Sequence, residues 1–319
     1  MDVDDLPVER ILSAAARAPS VYNTQPWQVE VAGSTVTLRA DAAKQLRRSD
    51  PDGREMLISC GAFLFNARTA ARRYSLTATV TTLPDPDDGF LVAAIELEPG
   101  PLPNTDELEL AVAIERRATS RVPFDDQPLV ADLLLSIDQA ARDEGAELRL
   151  VQPSDPVREE VIALVRRAEA IAAEDPAVGA EEAAWTATEP GRDDGIPRDL
   201  LGPGASDDQA PVRRFRASTG NAQFEHRTTL AVLSTAGDTR ADWVAAGQAL
   251  QHVLLVATTY FVHASFATTV LENPTTRRDL GRVLSLGGAP QMLMRLGYSS
   301  AQRHSPRRPV HSGNEQDGT

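Results

Sequence analysis

Apolar side chains recur every three to four residues along several segments of the chain, and this spacing predicts helices. The first covers residues 6–17, where Asp4 or Asp5 can cap the helix. The apolar residues of 54–74 cover more than one narrow stripe, which predicts a helix buried on most sides. Further helices are predicted at residues 105–117, 129–144, 156–173, 238–262 and 275–284.

Alternation of apolar and polar side chains predicts strands between these helices. Residues 28–32 and 35–39 alternate around Gly33-Ser34, a pattern typical of a hairpin. Helices and strands alternate in both halves of the chain, which predicts an α+β or α/β layered domain with helices packed on a sheet. The other predicted strands are residues 77–83, 90–97, 147–152, 229–235 and 290–298.

The composition changes over residues 175–211, where prolines and glycines mix with many acids. We expect a long insertion with one short helix at about 181–188. A loop of this length is either a lid over a site or a disordered linker. Trp185 and Ile196 are unusual in a linker and favour a lid. The polar residues from Ser312 onward are expected to be disordered.

Charge and composition restrict the partners. The 319-residue chain is 42% hydrophobic and carries a net charge of -14. A negative charge of this size repels nucleic-acid phosphates and anionic membranes, so we predict neither as a partner. Cys60 is the only cysteine and is predicted to be a core residue in a reducing, cytoplasmic protein. No signal peptide, membrane span or metal-ligand spacing of the five histidines is expected. An anionic ligand would therefore need a local cluster of arginines.

Two segments carry the chemistry for such a ligand. Residues 18–27 read Ala-Pro-Ser-Val-Tyr-Asn-Thr-Gln-Pro-Trp, and their amide groups suit the edge of a heterocycle with alternating donors and acceptors. The alternative is a tight turn whose amides bond the backbone. Residues 115–124 hold three arginines and two hydroxyls, which match a phosphate group, although a solvated helix end explains them equally well. The basic residues 303–309 are weak evidence alone.

Together these motifs resemble the nitroreductase family, and in particular its actinobacterial Acg-type members. Residues 18–27 resemble the family's Ala-Pro-Ser-x-x-Asn-x-Gln-Pro-Trp motif, and residues 116–124 resemble its Arg-Arg-Ser-x-Arg-x-Phe opening. Residues 290–298 followed by 307–309 resemble its C-terminal strand and basic tail. The resemblance extends from about residue 6 to 310. It implies the FMN-dependent nitroreductase-like fold and FMN as cofactor.

The resemblance also implies roles for individual residues. Arg117, Arg121 and Arg307 should hold the phosphate with the Thr119 hydroxyl, and Asn23 should bond the pyrimidine edge of the isoalloxazine. No catalytic side chain and no metal ligand is expected. The full cofactor-binding set that we expect is Ser20, Tyr22, Asn23, Gln25, Arg117, Thr119, Arg121, Ser265, Arg307 and Arg308.

The order of the motifs is reversed relative to ordinary nitroreductases, which are homodimers with FMN at the subunit interface. The resemblance therefore implies two nitroreductase-like halves in one chain, residues 1–104 and 105–319, with the lid insertion in the second half. Helices 54–74 and 238–262 would both correspond to the family's central helix. We expect a monomer that imitates the dimer and binds one FMN.

The family resemblance leaves three alternative functions. The first is an NAD(P)H-dependent FMN reductase acting on nitroaromatics or quinones, and the second is a protein that sequesters FMN under a closed lid without catalysis. The third is a degenerate family member without flavin, which the arginines and Asn23 argue against. Bulky Phe261, His263 and Phe266 stand where active nitroreductases usually have glycine and are expected to crowd the substrate face, although His263 fits a packed histidine better.

Overall fold

The computed structural model describes residues 6–207, 210–300 and 303–310. The proposed capping residues Asp4 and Asp5 and the tail from Ser312 lie outside this range. In chain order, the helices are α1 (Val8–Ala15), α2 (Arg54–Arg72), α3 (Thr105–Arg116), α4 (Ala131–Asp143), α5 (Arg158–Glu174), α6 (Pro176–Trp185), α7 (Arg240–Thr259), α8 (Thr269–Glu272) and α9 (Pro274–Val283).

The strands form two four-stranded antiparallel sheets and two short pairs within the described residues. The first sheet has the order β1-β2-β4-β3 and the second has the order β11-β12-β10-β5. The α+β prediction is confirmed. In chain order, the strands are β1 (Trp27–Ala32), β2 (Thr35–Ala40), β3 (Leu76–Thr82), β4 (Leu91–Pro99), β5 (Ala146–Val151), β6 (Thr186–Thr188), β7 (Ile196–Pro197), β8 (Gly204–Ala205), β9 (Asn221–Ala222), β10 (Thr229–Thr235), β11 (Val262–Phe266) and β12 (Ala289–Tyr298).

The predicted hairpin is confirmed, with Val31 opposite Val36 and Gly33 in the turn at a φ of 63°. The positive φ at this position suits glycine, which has no Cβ. Along β2 the side chains of Val36 and Leu38 are buried in the core beneath α2, while the intervening residues are partly exposed. Period-two burial of this kind is why the sequence pattern could identify the strand.

Helices α2 and α7 form the centre of the molecule and pack closely against each other. A Cβ atom added to Gly61 would lie 2.2 Å from the Val244 carbonyl oxygen, and one added to Gly247 would lie 2.0 Å from the Ile58 carbonyl oxygen. Glycine is therefore required on both sides of the crossing. In the same interface, the buried side chains of Asn66 and Gln251 share a hydrogen bond of 2.6 Å.

Two predicted elements were wrong in their bounds. The helix expected at 238–262 ends at Thr259, because Phe261 adopts a φ of 60° and redirects the chain into the unpredicted strand β11. The helix expected at 181–188 is α6, which begins at Pro176 with the Asp175 carboxylate capping it. Within the described ranges, no helix is both long enough and apolar enough to cross a membrane.

Candidate functional site

The loop that joins α1 to β1 is held in an unusual backbone conformation. Tyr22, Asn23 and Gln25 all have positive φ values, of 47°, 58° and 51°. Each such residue costs on the order of 1–3 kcal/mol, and this strain persists only where surrounding contacts enforce it. The Ser20 hydroxyl supplies one of these contacts by accepting a hydrogen bond of 3.0 Å from the backbone amide of Gln25. Strain concentrated in one loop marks it as a candidate functional segment.

This loop forms one wall of a cleft beside the central helices. The cleft has about 850 Å³ of empty space, part of which is open solvent at its mouth. Its other walls come from α2, α7, β11, β12 and the insertion. Five of the ten predicted cofactor-binding residues line it: Ser20, Tyr22, Thr119, Arg121 and Ser265.

Residues 119–121 reach the cleft because they dock on the edge of the second sheet. Thr119 pairs with Ala264 of β11 as a parallel bridge, and the Ser120 amide donates to the Ala264 carbonyl at 2.9 Å. This pairing places the arginine motif beside Ser265. Two motifs that are far apart in the sequence therefore meet at one site.

Four arginines cluster behind Thr119. Arg117 and Arg307 both donate to the Arg17 carbonyl oxygen, at 3.1 and 3.2 Å, and the Arg117 guanidinium also lies 3.4 Å from the Thr119 hydroxyl. Burial, together with the neighbouring guanidinium groups, lowers the pKa of Arg307 to about 9. The same causes lower the pKa values of Arg117 and Arg121 to about 10. The four side chains therefore repel one another in a partly dry environment.

Nothing acidic in the described part of the chain forms an ion pair with Arg17, Arg117, Arg121 or Arg307. The Nε atoms of Arg17, Arg117 and Arg307 are also buried without a hydrogen-bond partner, as is the nearby Ser120 hydroxyl. Buried charges are normally paired, so guanidinium groups without an acidic partner make this cluster a candidate anion site. A phosphate group fits this donor set.

Asn23 and Gln25 occupy the same region, and their amides bond within the chain. The Asn23 Oδ1 atom accepts from Arg307 at 2.8 Å, and its Nδ2 atom donates to the Gly195 and Pro306 carbonyls. Gln25 donates to the Asp193 carbonyl at 2.8 Å and accepts from the Arg308 amide at 2.9 Å. These amides fasten the insertion and the 303–310 segment onto the loop. Contact of these residues, and of Arg308, with FMN stays a prediction.

Ser265 is oriented by a buried arginine. Its Oγ atom accepts a hydrogen bond of 3.1 Å from Arg295, whose guanidinium pairs with Glu225 and lies between the rings of Phe124 and Phe224. Because the Ser265 oxygen already accepts a bond from Arg295, its hydroxyl proton can donate to a ligand in the cleft.

The cleft has a second polar wall, most of whose residues were not predicted from the sequence. Arg213 lies 4.5 Å above the Tyr22 ring, bonds its hydroxyl and pairs with Glu272 at 2.6 Å. Burial raises the pKa of Tyr22 beyond its usual range, so its hydroxyl is protonated. Glu55 and Ser59 of α2 also line this side. Both residues belong to a stretch, 50–62, that resembles Acg-type proteins, but the resemblance assigned them no role in the site.

The residues expected to crowd the site behave differently from one another. Phe261 does not crowd the cleft, since 68% of its surface is exposed in the turn before β11. His263 is buried and interacts with the backbone of Ala118, in keeping with a packed histidine. Phe266 does line the cleft. Trp185 packs beside Lys44 and Arg192 outside the cleft.

Cys60 is a core residue, as expected. It is fully buried, its thiol donates to the Pro26 carbonyl, and burial raises its pKa to about 12. A thiol with this pKa is not a nucleophile near neutral pH. In the described ranges, no group of histidine, cysteine and acidic side chains could hold a metal ion.

A two-sheet α+β fold with a cleft, and with a partly buried cationic cluster whose Arg121 lines that cleft, defines a protein built to bind an anionic small molecule. The chain is 34% identical over 301 residues to the Mycobacterium tuberculosis protein named Putative NAD(P)H nitroreductase Rv3131, covering 92% of this chain and 85% of that protein. It is 30% identical over 313 residues to Putative NAD(P)H nitroreductase acg of the same organism, covering 95% and 93%. The chain belongs to this Acg-type nitroreductase family.

Solved structures are more distant. A Desulfitobacterium hafniense nitroreductase with bound FMN gives a TM-score of 0.41 at 15% identity, covering 63% of this chain and 94% of that one. A Bacteroides fragilis nitroreductase with bound FMN gives a TM-score of 0.40 at 15% identity, covering 65% and 96%. No protein-family model matches the chain.

Proposed function

We propose that this protein binds FMN in the cleft and uses it as an NAD(P)H-dependent oxidoreductase acting on nitroaromatics or quinones. The observation that carries the proposal is the cluster of the buried Arg117 with the partly buried Arg17, Arg121 and Arg307, which has no acidic partner in the described structure. A phosphomonoester would supply the missing negative charge and three acceptor oxygens. The names of the family relatives support the reductase activity.

Of the groups expected to hold the phosphate, Thr119 and Arg121 line the cleft, whereas Arg117 and Arg307 lie beside them and do not line it. Arg117, Arg121 and Arg307 would hold the phosphate, with Thr119 donating its hydroxyl. The apolar side chains of Ile58, Leu250 and Met292 line the cleft and suit a flat aromatic ring system. Ser20, Tyr22 and Ser265 offer hydroxyl groups along the same wall.

Asn23, Gln25 and Arg308 contribute in a different way under this proposal. Their hydrogen bonds hold the 303–310 segment against the loop, and this fixes Arg307 beside Arg117. Bound FMN supplies hydride chemistry at its N5 atom, while the protein supplies orientation and electrostatics. The insertion contributes Ile196, Leu201 and Pro203 to the cleft wall, which supports its proposed role as a lid.

The test of cofactor binding is direct. The purified protein incubated with FMN and passed through a desalting column should retain a flavin absorbance spectrum and quench flavin fluorescence. A protein that stays colourless and leaves the fluorescence unchanged would contradict FMN binding. Arg116→Ala is the control variant and should retain the flavin as wild type does, because Arg116 is exposed and only adjacent to the cluster.

The test of catalysis follows on the yellow protein. NADPH or NADH added without oxygen should bleach the flavin absorbance, and a nitroaromatic or a quinone added afterwards should restore it. A flavin that stays oxidised in the presence of both nicotinamides would favour sequestration of FMN. Shortening the insertion then distinguishes a blocked site from an inactive one, because removal of a covering lid would restore reduction.

We also propose that the chain is a monomer whose two halves, residues 1–104 and 105–319, imitate a homodimer. Each half contributes one sheet and one central helix, α2 or α7. The amide-rich loop comes from the first half, and the arginine motif and Arg307 come from the second. A cytoplasmic location accords with this function.

A further inference from the structure

Glu55 is a buried carboxyl group on the wall of the cleft. It lies in the first turn of α2, is 4% exposed, and borders the cleft beside Ile58 and Ser59. Its Oε1 atom accepts from the Arg54 guanidinium at 2.9 Å. Its Oε2 atom has no hydrogen-bond partner among the residues that the structure describes. One oxygen of the carboxyl group is therefore available to a ligand.

Four charged groups of the described chain act on Glu55. The negative ones are Asp50, which precedes α2 and accepts from the Glu55 and Met56 backbone amides through its two oxygens, and Glu272 of α8. The positive groups are Arg54 and Arg213. Both are also bonded elsewhere, Arg54 to the Gln291 carbonyl at 2.6 Å and Arg213 to Glu272 at 2.6 Å.

Burial, and then the negative charge of Glu272, raises the pKa of Glu55 to about 8, while Arg54 and Arg213 oppose the shift. Near neutral pH the carboxyl group is mostly protonated. A protonated carboxyl still accepts from Arg54 through Oε1, because that oxygen keeps its lone pairs. The proton then belongs on Oε2.

We propose that Glu55 is a neutral acid that donates a hydrogen bond from Oε2 to a carbonyl or nitro oxygen of a substrate bound in the cleft. The inference rests on the proposed function, since it names the group that recognises the substrates of that site. The O–H group of a neutral carboxyl can donate to an oxygen atom that carries lone pairs. The carboxylate of an ionised Glu55 would instead repel such an oxygen. Glu55 is thus a specificity-determining residue for quinones and nitroaromatics.

The first test needs no cofactor. The infrared difference spectrum between wild type and Glu55→Gln at about pH 7 should contain the carbonyl band of one protonated carboxyl group, that of Glu55. The band should disappear as pH rises through about 8, where Glu55 loses its proton. Because burial also raises the pKa of Asp50 and of Glu169, Asp50→Asn and Glu169→Gln are the matched controls, and each should retain the band of Glu55. A wild-type spectrum without a protonated-carboxyl band, or one identical to that of Glu55→Gln, would overturn the inference.

The second test measures ligand binding on the FMN-loaded protein without a reductant. Nitrobenzene is the probe, and calorimetry gives its affinity from about pH 6 to about pH 10. Wild-type affinity should fall roughly tenfold across this range, which is the loss of one buried hydrogen bond. Glu55→Gln should bind with near wild-type affinity at every pH, because its amide is a neutral donor. Glu55→Leu should bind weakly throughout.

Asp50→Asn again separates the two carboxyl groups. It should keep the pH dependence, with the midpoint at lower pH because one negative neighbour of Glu55 is gone. Equal nitrobenzene affinity for wild type and Glu55→Leu would refute the role of Glu55, even with FMN bound. Failure to load FMN would instead refute the proposed function, and the infrared result would still report on the proton of Glu55.

Discussion

Arg121 tests the proposed phosphate site at the scale of one residue. A charge-assisted hydrogen bond contributes about 1.5–3 kcal/mol, so Arg121→Ala should weaken FMN binding roughly ten- to a hundredfold. Quenching of flavin fluorescence during titration with protein gives the affinity. Arg121 is a suitable choice because, among the residues that the structure describes, its guanidinium makes one hydrogen bond, to the Leu200 carbonyl, which is long at 3.4 Å.

Riboflavin provides the control ligand because it lacks the phosphate. Arg121→Ala should leave riboflavin affinity within about twofold of wild type, and Arg116→Ala should change the affinity of neither ligand. If Arg121→Ala weakened riboflavin as strongly as FMN, then the residue would act by shaping the cleft and its phosphate role would be rejected.

Local chemistry explains which site residues the sequence revealed. Arg117, Thr119 and Arg121 lie within five positions, so their shared preference for a phosphate is readable without the fold. Arg17 follows the end of α1, and Glu55 lies in a helix that was predicted to be buried without a role for this residue. Their roles depend on contacts with remote segments, such as Arg307 bonding the Arg17 carbonyl across 290 positions. Such contacts leave no periodic trace in the sequence.

At the scale of elements, the crossing of α2 and α7 depends on two glycines. Gly61→Ala would place a methyl group 2.2 Å from the Val244 carbonyl oxygen, and neither backbone can move freely. We expect a loss of about 1–3 kcal/mol or more in the free energy of unfolding. Chemical denaturation of the variant measures this loss as a lower midpoint.

Gly287→Ala is the matched control for this variant. A Cβ atom there meets nothing within 4 Å, and the φ of Gly287 lies outside the left-handed region. Its midpoint should equal or slightly exceed that of wild type, because alanine reduces the entropy of the unfolded chain. A Gly61→Ala protein as stable as Gly287→Ala would mean that the helices adjust at little cost.

Asp238 joins three elements and makes stability depend on pH. It accepts from Arg277 at 2.7 Å and from the Trp243 indole at 2.7 Å, and it contacts Gln291 at 3.1 Å. Although burial opposes them, these bonds lower its pKa from 3.8 to about 2. The folded state therefore holds this proton less readily than the unfolded state, and the contribution of Asp238 is present above about pH 4 and is lost as pH falls towards 2.

Asp238→Asn should consequently lower the melting temperature at neutral pH, and its difference from wild type should shrink as pH falls below about 4. Thermal melts at several pH values measure both effects. Asp175→Asn is a useful comparison, since the carboxylate of this exposed cap of α6 accepts a hydrogen bond from one backbone amide of the described chain, that of Ala177. A difference between Asp238→Asn and wild type that did not vary with pH would show that charge is not the cause.

Helices and strands were predictable where one spacing of apolar residues holds throughout a segment. Strand β10 has the predicted bounds because its apolar run is uninterrupted, and the β1–β2 hairpin follows from its turn. Strand β11 was missed because its apolar residues continue the pattern of α7, and only the positive φ of Phe261 separates them. A backbone reversal at a non-glycine residue is a consequence of tertiary packing that propensity does not reveal.

At the scale of the whole molecule, the central crossing is reciprocal. Gly61 and Gly247 each lie seven residues after the first residue of their helix. Each would collide with a carbonyl three residues before the other, at Val244 and Ile58. In a two-fold symmetric dimer, a residue of one subunit contacts its equivalent in the partner in just this way. The reciprocity supports the proposal that one chain imitates a homodimer.

An imitation of this kind has one complete site instead of two. The second equivalent position would lack both the amide-rich loop and the arginine motif, so one FMN should bind to each 34.3 kDa chain. Sedimentation equilibrium should give the mass of a single chain with and without FMN. A dimer with two flavins also gives one flavin per chain, so mass and stoichiometry must be measured on the same sample.

The double variant Arg117→Ala/Arg121→Ala resolves the number of sites further. With one site per chain, removing both guanidinium groups weakens every binding event, and the titration shows a single weakened phase. With a second, independent site, the double variant would retain a phase of unchanged affinity at half the original amplitude. That outcome would refute the single-site proposal, since the remaining flavin would be bound by groups outside the cluster around Arg307.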